Sequence, residues 1–92
     1  MIRTFKHKGL RELFERGATR NVQQSQIGRC RGIMAALNEA RHVQDMNQPG
    51  YRLHELKPYR PGVWAVRVNG PWRITFEFRE GGAYNVDLEQ YH

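Results

Sequence analysis

Little in this sequence can cross-link the chain, span a bilayer or hold a metal ion. Its one cysteine, Cys30, has no second thiol for an internal disulfide, and a lone cysteine in a helical apolar pattern is normally a small buried hydrophobe rather than a nucleophile. No apolar run approaches the roughly 18 residues that cross a membrane as a helix. The opening stretch MIRTFKHKGLRELF lacks the apolar segment and small-residue cleavage site of a signal peptide, so a cytoplasmic protein without membrane contact is expected. His7, His42, His54 and His92 show no ligand spacing, which predicts no metal site. Gly81-Gly82 joins two strands instead of opening a helix, which excludes a phosphate-cradling loop and leaves no cofactor expected. Acidic residues are also scarce. Nine Asp and Glu stand against fifteen Lys and Arg, a formal charge of +6, and that excess points to a polyanion, with nucleic acid ahead of an acidic protein partner.

What is present is enough for one core. With 92 residues, 39% of them hydrophobic, the chain closes a single domain spanning 1–92 and no second one. Ile2 to Phe5 reads as a short first strand. Leu10, Leu13 and Phe14 then follow helical spacing, with Gly17 placed to end the helix in a left-handed turn. Asn21 with Gln24 three residues on has the form of a capping box, so a second helix is expected from there to about Ala40. Its stripe of Ile27, Cys30, Ile33, Met34 and Leu37 is core. Gly28 and Gly32 weaken that helix by about 1 kcal/mol each relative to Ala and leave room for a close helix approach.

After Asn47-Gln48-Pro49-Gly50 the period changes from 3.6 to 2. Tyr51 to Leu56, Val63 to Val68, Trp72 to Phe78 and Ala83 to Leu88 read as strands, and their short connections force antiparallel neighbours. In the third strand Trp72, Ile74, Phe76 and Phe78 share a buried face, which sends Arg73, Thr75 and Glu77 to the other. The expected fold is α+β: two N-terminal helices on one face of a curved, mainly antiparallel sheet of four to five strands, with the opposite face concave and basic.

Cutting RNA without a metal requires a group to take the proton of the ribose 2′-OH, a group to protonate the leaving 5′-oxygen, and cations to stabilise the charge on phosphorus. Histidine is the side-chain type suited to proton transfer at physiological pH, and His54 lies in the first strand of the second half, with Lys57 just past it, Arg73 two strands on, and Tyr91 and His92 after the last strand. Each also has an ordinary reading: His54 as a hydrogen-bonded strand residue, Lys57 as a solvated charge, Arg73 as a partner of Glu77 or Glu55. His7 and Lys8, ahead of the first helix, are candidates for phosphate contact. His42 is most simply a complement to the dipole at the end of the second helix and is set aside.

Phe5-Lys6-His7-Lys8-Gly9-Leu10, Tyr51-Arg52-Leu53-His54-Glu55-Leu56-Lys57, Trp64, Arg67-Val68-Asn69, Trp72-Arg73-Ile74-Thr75-Phe76 and the final Tyr91-His92 together resemble the HigB toxins of bacterial toxin-antitoxin pairs, over nearly the whole chain. The resemblance implies a RelE-like fold and cleavage of messenger RNA in the ribosomal A site. It also implies neutralisation by a HigA-like helix-turn-helix antitoxin, with promoter DNA bound only through the toxin-antitoxin complex. The functional residues it carries over are His54, Lys57, Arg73, Tyr91 and His92, the group the chemistry selects. One position departs: Gln90 stands where relatives often have an aspartate, and an amide cannot act as a carboxylate base. Glu89 beside it is expected to face the opposite side. Two alternatives on different grounds are a gyrase-inhibiting toxin of the ParE type on the same fold and a non-catalytic RNA-binding module.

Overall fold

A computed structural model describes residues 1–90, and among these no helix is long and apolar enough to cross a membrane. Helix α1 (Lys8–Arg16) sends Leu10 and Leu13 into the core, and Gly17, at φ 70°, ends it in the left-handed turn its position suggests. Phe14 stays partly exposed at the margin, its ring tilted against Phe5 at 5.9 Å.

Helix α2 (Gln24–Glu39) starts later than the capping pattern implies. The Asn21 amide donates to Glu12 Oε1 on α1 at 2.8 Å, so the side chain expected to cap α2 is engaged elsewhere. Gln23 takes the cap position without a side-chain hydrogen bond. Cys30, Ile33, Met34 and Leu37 are fully buried, with Ile27 at the edge of the stripe. Gly28 and Gly32 lie on the water side, where an added Cβ meets nothing within 4 Å, so no second backbone approaches α2 there. Gln26 is buried too, and its amide donates to Asn69 Oδ1 at 3.1 Å. Because α2 ends at Glu39, His42 does not complete it but caps a separate 3-10 turn, Val43–Met46. The Asp45 carboxylate accepts from the backbone N–H groups of Arg41 and His42, which holds its pKa below the ordinary value.

The four strands are β1 (His54–Leu56), β2 (Arg60–Asn69), β3 (Trp72–Arg79) and β4 (Gly82–Gln90), antiparallel in chain order. The N-terminal segment forms two isolated parallel bridges to β4, Ile2 with Ala83 and Phe5 with Val86, so it lies along the sheet edge without becoming a regular fifth strand. β1 is half its expected length because Arg52, at φ 52°, breaks the extended chain ahead of it. Tyr51 still meets the sheet: its carbonyl accepts from Arg67 N at 2.7 Å, and its ring lies under the Arg29 guanidinium at 4.9 Å. β2 starts three residues before the periodicity suggests, since Arg60 pairs with Leu56 across a connection of only residues 57–59. Val66, Val68, Ile74, Phe76, Ala83 and Val86 form the floor on which α1 and α2 pack.

Candidate active site

The opposite face of the sheet carries an open hollow of about 400 Å³. Its position follows from pairing. His54 lies opposite Ala65, Ala65 opposite Thr75 and Thr75 opposite Asp87; two residues along, Arg67, Arg73 and Glu89 form a second row. Residues directly opposite each other point to the same side. Both rows therefore lie on the face away from the helices, and Ala65, small and fully buried, is the floor.

His54, Lys57 and Arg73 all line this hollow, together with Gln90. Tyr91 and His92 lie outside the described residues. His54 is exposed, and its Nδ1 stands 2.9 Å from the Arg52 carbonyl. A carbonyl can only accept, so Nδ1 carries the proton and, in the neutral ring, Nε2 keeps its lone pair. The unusual backbone at Arg52 that shortens β1 is thus also what aims this carbonyl at the imidazole. Lys57 Nζ is 3.4 Å from Glu55 Oε1, and the other Glu55 oxygen accepts from Gly62 N at 2.8 Å. Arg73 Nη1 reaches its neighbour's carbonyl, Trp72 O, at 3.4 Å. The ordinary partners suggested for Arg73 are engaged otherwise: Glu55 as above, and Glu77 with Arg79 and Asn85.

Glu89 overturns its expected orientation. It faces the hollow, accepting both Arg60 guanidinium nitrogens at 2.7 and 2.9 Å and the hydroxyl of the buried Thr75. The Arg60 hydrogen bonds, then Thr75, hold its carboxyl below the usual carboxylate range against the opposing effect of partial burial. The cause of the reorientation is a bulge. Ala83 and Val86 are both fully buried, which strict alternation forbids, and between them Asn85 takes φ 54° while the β3–β4 register shifts by one. Asn tolerates that conformation better than most residues, and Asn85 N donates to Thr4 Oγ1 instead of to β3. The charge of the hollow is modest. The described lining residues include three cations, Lys57, Arg60 and Arg73, and two carboxylates, Glu55 and Glu89, so the face expected to be basic keeps an excess of only one positive charge.

His7 and Lys8 are not in this hollow. The His7 ring accepts the Leu10 N–H at 3.0 Å as the N-cap of α1, and Lys8 lines a shallow surface with Arg11, Glu12, Glu15 and Arg16. Cys30 is inert by position, its thiol pushed up to about 11 by burial. Among the described residues no group of three or more His, Cys, Asp or Glu could hold a metal ion. Arg60 and Glu89 were the pair that residue-type reasoning missed; the Ala83-to-Val86 spacing, odd for two core positions on one strand, was the signal available.

Helices on one face of a four-stranded antiparallel sheet, with a polar hollow on the other, define a small RelE-like toxin. The family model described as "RelE-like toxin of type II toxin-antitoxin system HigB" matches residues 3–92, and the chain belongs to this HigB-like toxin family. Among its relatives is the Endoribonuclease HigB of Proteus vulgaris, 42% identical over 92 residues and covering all of both chains. Membership of a type II toxin-antitoxin family brings with it an antitoxin partner.

Proposed function

We propose that the chain is an endoribonuclease that cuts messenger RNA in the ribosomal A site, with the reaction carried out in this hollow. The observation that carries the reading is the convergence of His54, Lys57 and Arg73 from β1, the β1–β2 connection and β3 on one cavity. The name of the Proteus vulgaris relative, Endoribonuclease HigB, supports the endoribonuclease part of this reading.

In this scheme the 2′-oxygen attacks the neighbouring phosphorus while its proton passes to His54 Nε2, the nitrogen left with a lone pair by the Arg52 contact. The P–O5′ bond breaks, and His92 or Tyr91 protonates the leaving oxygen. Arg73 and Lys57 stabilise the charge that builds on the phosphoryl oxygens. Glu89 is no base here, since its oxygens already accept from Arg60 and Thr75 and its carboxyl stays ionised. Gln90 at the rim can hydrogen-bond but not take up a proton. No metal takes part. His7 and Lys8 remain candidates only for phosphates distant from the cut. The toxin acts in the cytoplasm, where a HigA-like helix-turn-helix antitoxin neutralises it and promoter DNA is bound through that complex.

The test is the chemistry of the ends. Ribosomes programmed with a defined message should yield a 2′,3′-cyclic phosphate or 3′-phosphate and a 5′-hydroxyl, and a 2′-deoxy nucleotide at the scissile position should block cleavage. A 5′-phosphate product, or cleavage at the 2′-deoxy site, contradicts the scheme.

A further inference from the structure

Tyr59 is 91% exposed, far more than the other large apolar side chains at the surface of the described residues, Met1 at 56% and Phe14 at 37%. Met1 is the chain end, and Phe14 rests against Phe5. Tyr59 has neither excuse, and it is not isolated: it stands on the connection between β1 and β2, between Lys57 and Arg60, and lines the same hollow as His54 and Arg73. Pro58 precedes it and Pro61 follows shortly after, so the backbone carrying the ring has two φ angles fixed by pyrrolidine geometry. A single exposed aromatic means little by itself. An exposed one at the edge of a cavity that also offers an imidazole, an ammonium and a guanidinium is the combination that recognises single-stranded RNA, whose bases stack on aromatic side chains while cations hold the phosphates.

We propose that Tyr59 forms a nucleobase-stacking subsite, in which a base flanking the scissile phosphate lies on the phenol ring while that phosphate meets Arg73 and Lys57. The proposal rests on the hollow being the cleavage site. Stacking requires the π-face and not the hydroxyl, tolerates every base, and favours purines through their larger surface. It also supplies what the modest charge of the hollow does not, a hold on the nucleotide that is independent of salt.

The experiment measures cleavage of message on programmed ribosomes by the wild type, Tyr59→Ala, Tyr59→Phe and Tyr59→Leu, with Arg73→Ala alongside. Tyr59→Ala is expected to lose about tenfold in kcat/KM, mostly through KM, as stacking energies imply. Tyr59→Phe should recover the wild-type value, Tyr59→Leu should not, and melting should be unchanged because the ring is in water. A message with an abasic residue at the flanking position should abolish the difference between wild type and Tyr59→Ala. Wild-type kinetics for Tyr59→Ala overturn the proposal, as does a Tyr59→Phe loss equal to that of Tyr59→Ala. So does normal cleavage by Tyr59→Ala combined with escape from the antitoxin, which makes the ring a protein anchor. Arg73→Ala separates the two levels. If it is inactive and Tyr59→Ala is normal, only the stacking subsite fails; if it cleaves normally, the hollow itself is not the site.

Discussion

On the helix side of the sheet Val66, Ile74, Phe76 and Val86 are closed off from water by apolar neighbours; on the other side of the same strands, Ala65, Arg73, Thr75 and Glu89 line a polar hollow. The two faces are held by different forces. Burial fixes the first, at about 25 cal/mol per Å² of apolar surface removed from water, whereas the second depends on directional contacts such as Arg60 with Glu89. They are nonetheless one device. Buried Ile74 lies between Arg73 and Thr75 in sequence, and a slip of β3 by one residue exchanges the faces, so the apolar side fixes where the guanidinium points. The lesson is that the hollow is positioned by residues that do not line it.

The comparison can be broken most forcefully from the apolar side. Phe76→Ala is expected to cost about 3–5 kcal/mol in urea denaturation, a large part of the 5–15 kcal/mol typical of a whole domain, and to abolish cleavage with folding. A mild loss instead means that the core does not hold the sheet. Smaller, and of opposite sign, is the effect of Gly28→Ala and Gly32→Ala. Both glycines lie in α2 with open space where a Cβ goes, so each alanine should add close to 1 kcal/mol of stability and leave cleavage unchanged; destabilisation means something does pack there.

On the polar side Glu89→Gln should cost only about 0.5 kcal/mol near neutral pH, because both partners are partly exposed and water screens the pair. Its pH dependence is the sharper reading. The folded carboxyl titrates below its ordinary value of 4.5, so its contribution is present above that value and disappears as pH falls through the folded pKa. Melting temperatures of wild type and Glu89→Gln should therefore converge in acid, as pH falls below 4.5 and through the lowered folded pKa, and a gap that widens there contradicts the pairing. Smallest of all is the response at Cys30: with no accessible surface and a pKa raised to about 11, the native thiol should not react with an alkylating reagent at neutral pH until the chain unfolds.

Periodicity made most of the fold legible. The stripe of α2 and the alternation in β3 are repeated signals that tertiary contacts reinforce, so both appear where the residues put them. Departures came from single side chains with a better partner elsewhere. Asn21 has the form of a cap but serves Glu12, and Gln26 is a polar residue buried because Asn69 receives its amide. Arg52 and Asn85 adopt positive φ without being glycine, and neither event has a periodic signature. For the site, residue chemistry picked out His54, Lys57 and Arg73, and the hollow gathers them. Glu89 escaped because the bulge at Asn85 shifts the face of everything after it, and Arg60 because its role exists only through Glu89.

The most direct measurement is cleavage of ribosome-bound message by Arg73→Ala, taken together with its melting curve. The expected result is a folded protein whose cleavage rate falls by roughly 10²–10³, the usual cost of removing a group that stabilises developing charge. A folded Arg73→Ala that cuts at the wild-type rate contradicts the assignment of the hollow as the place where RNA is cleaved.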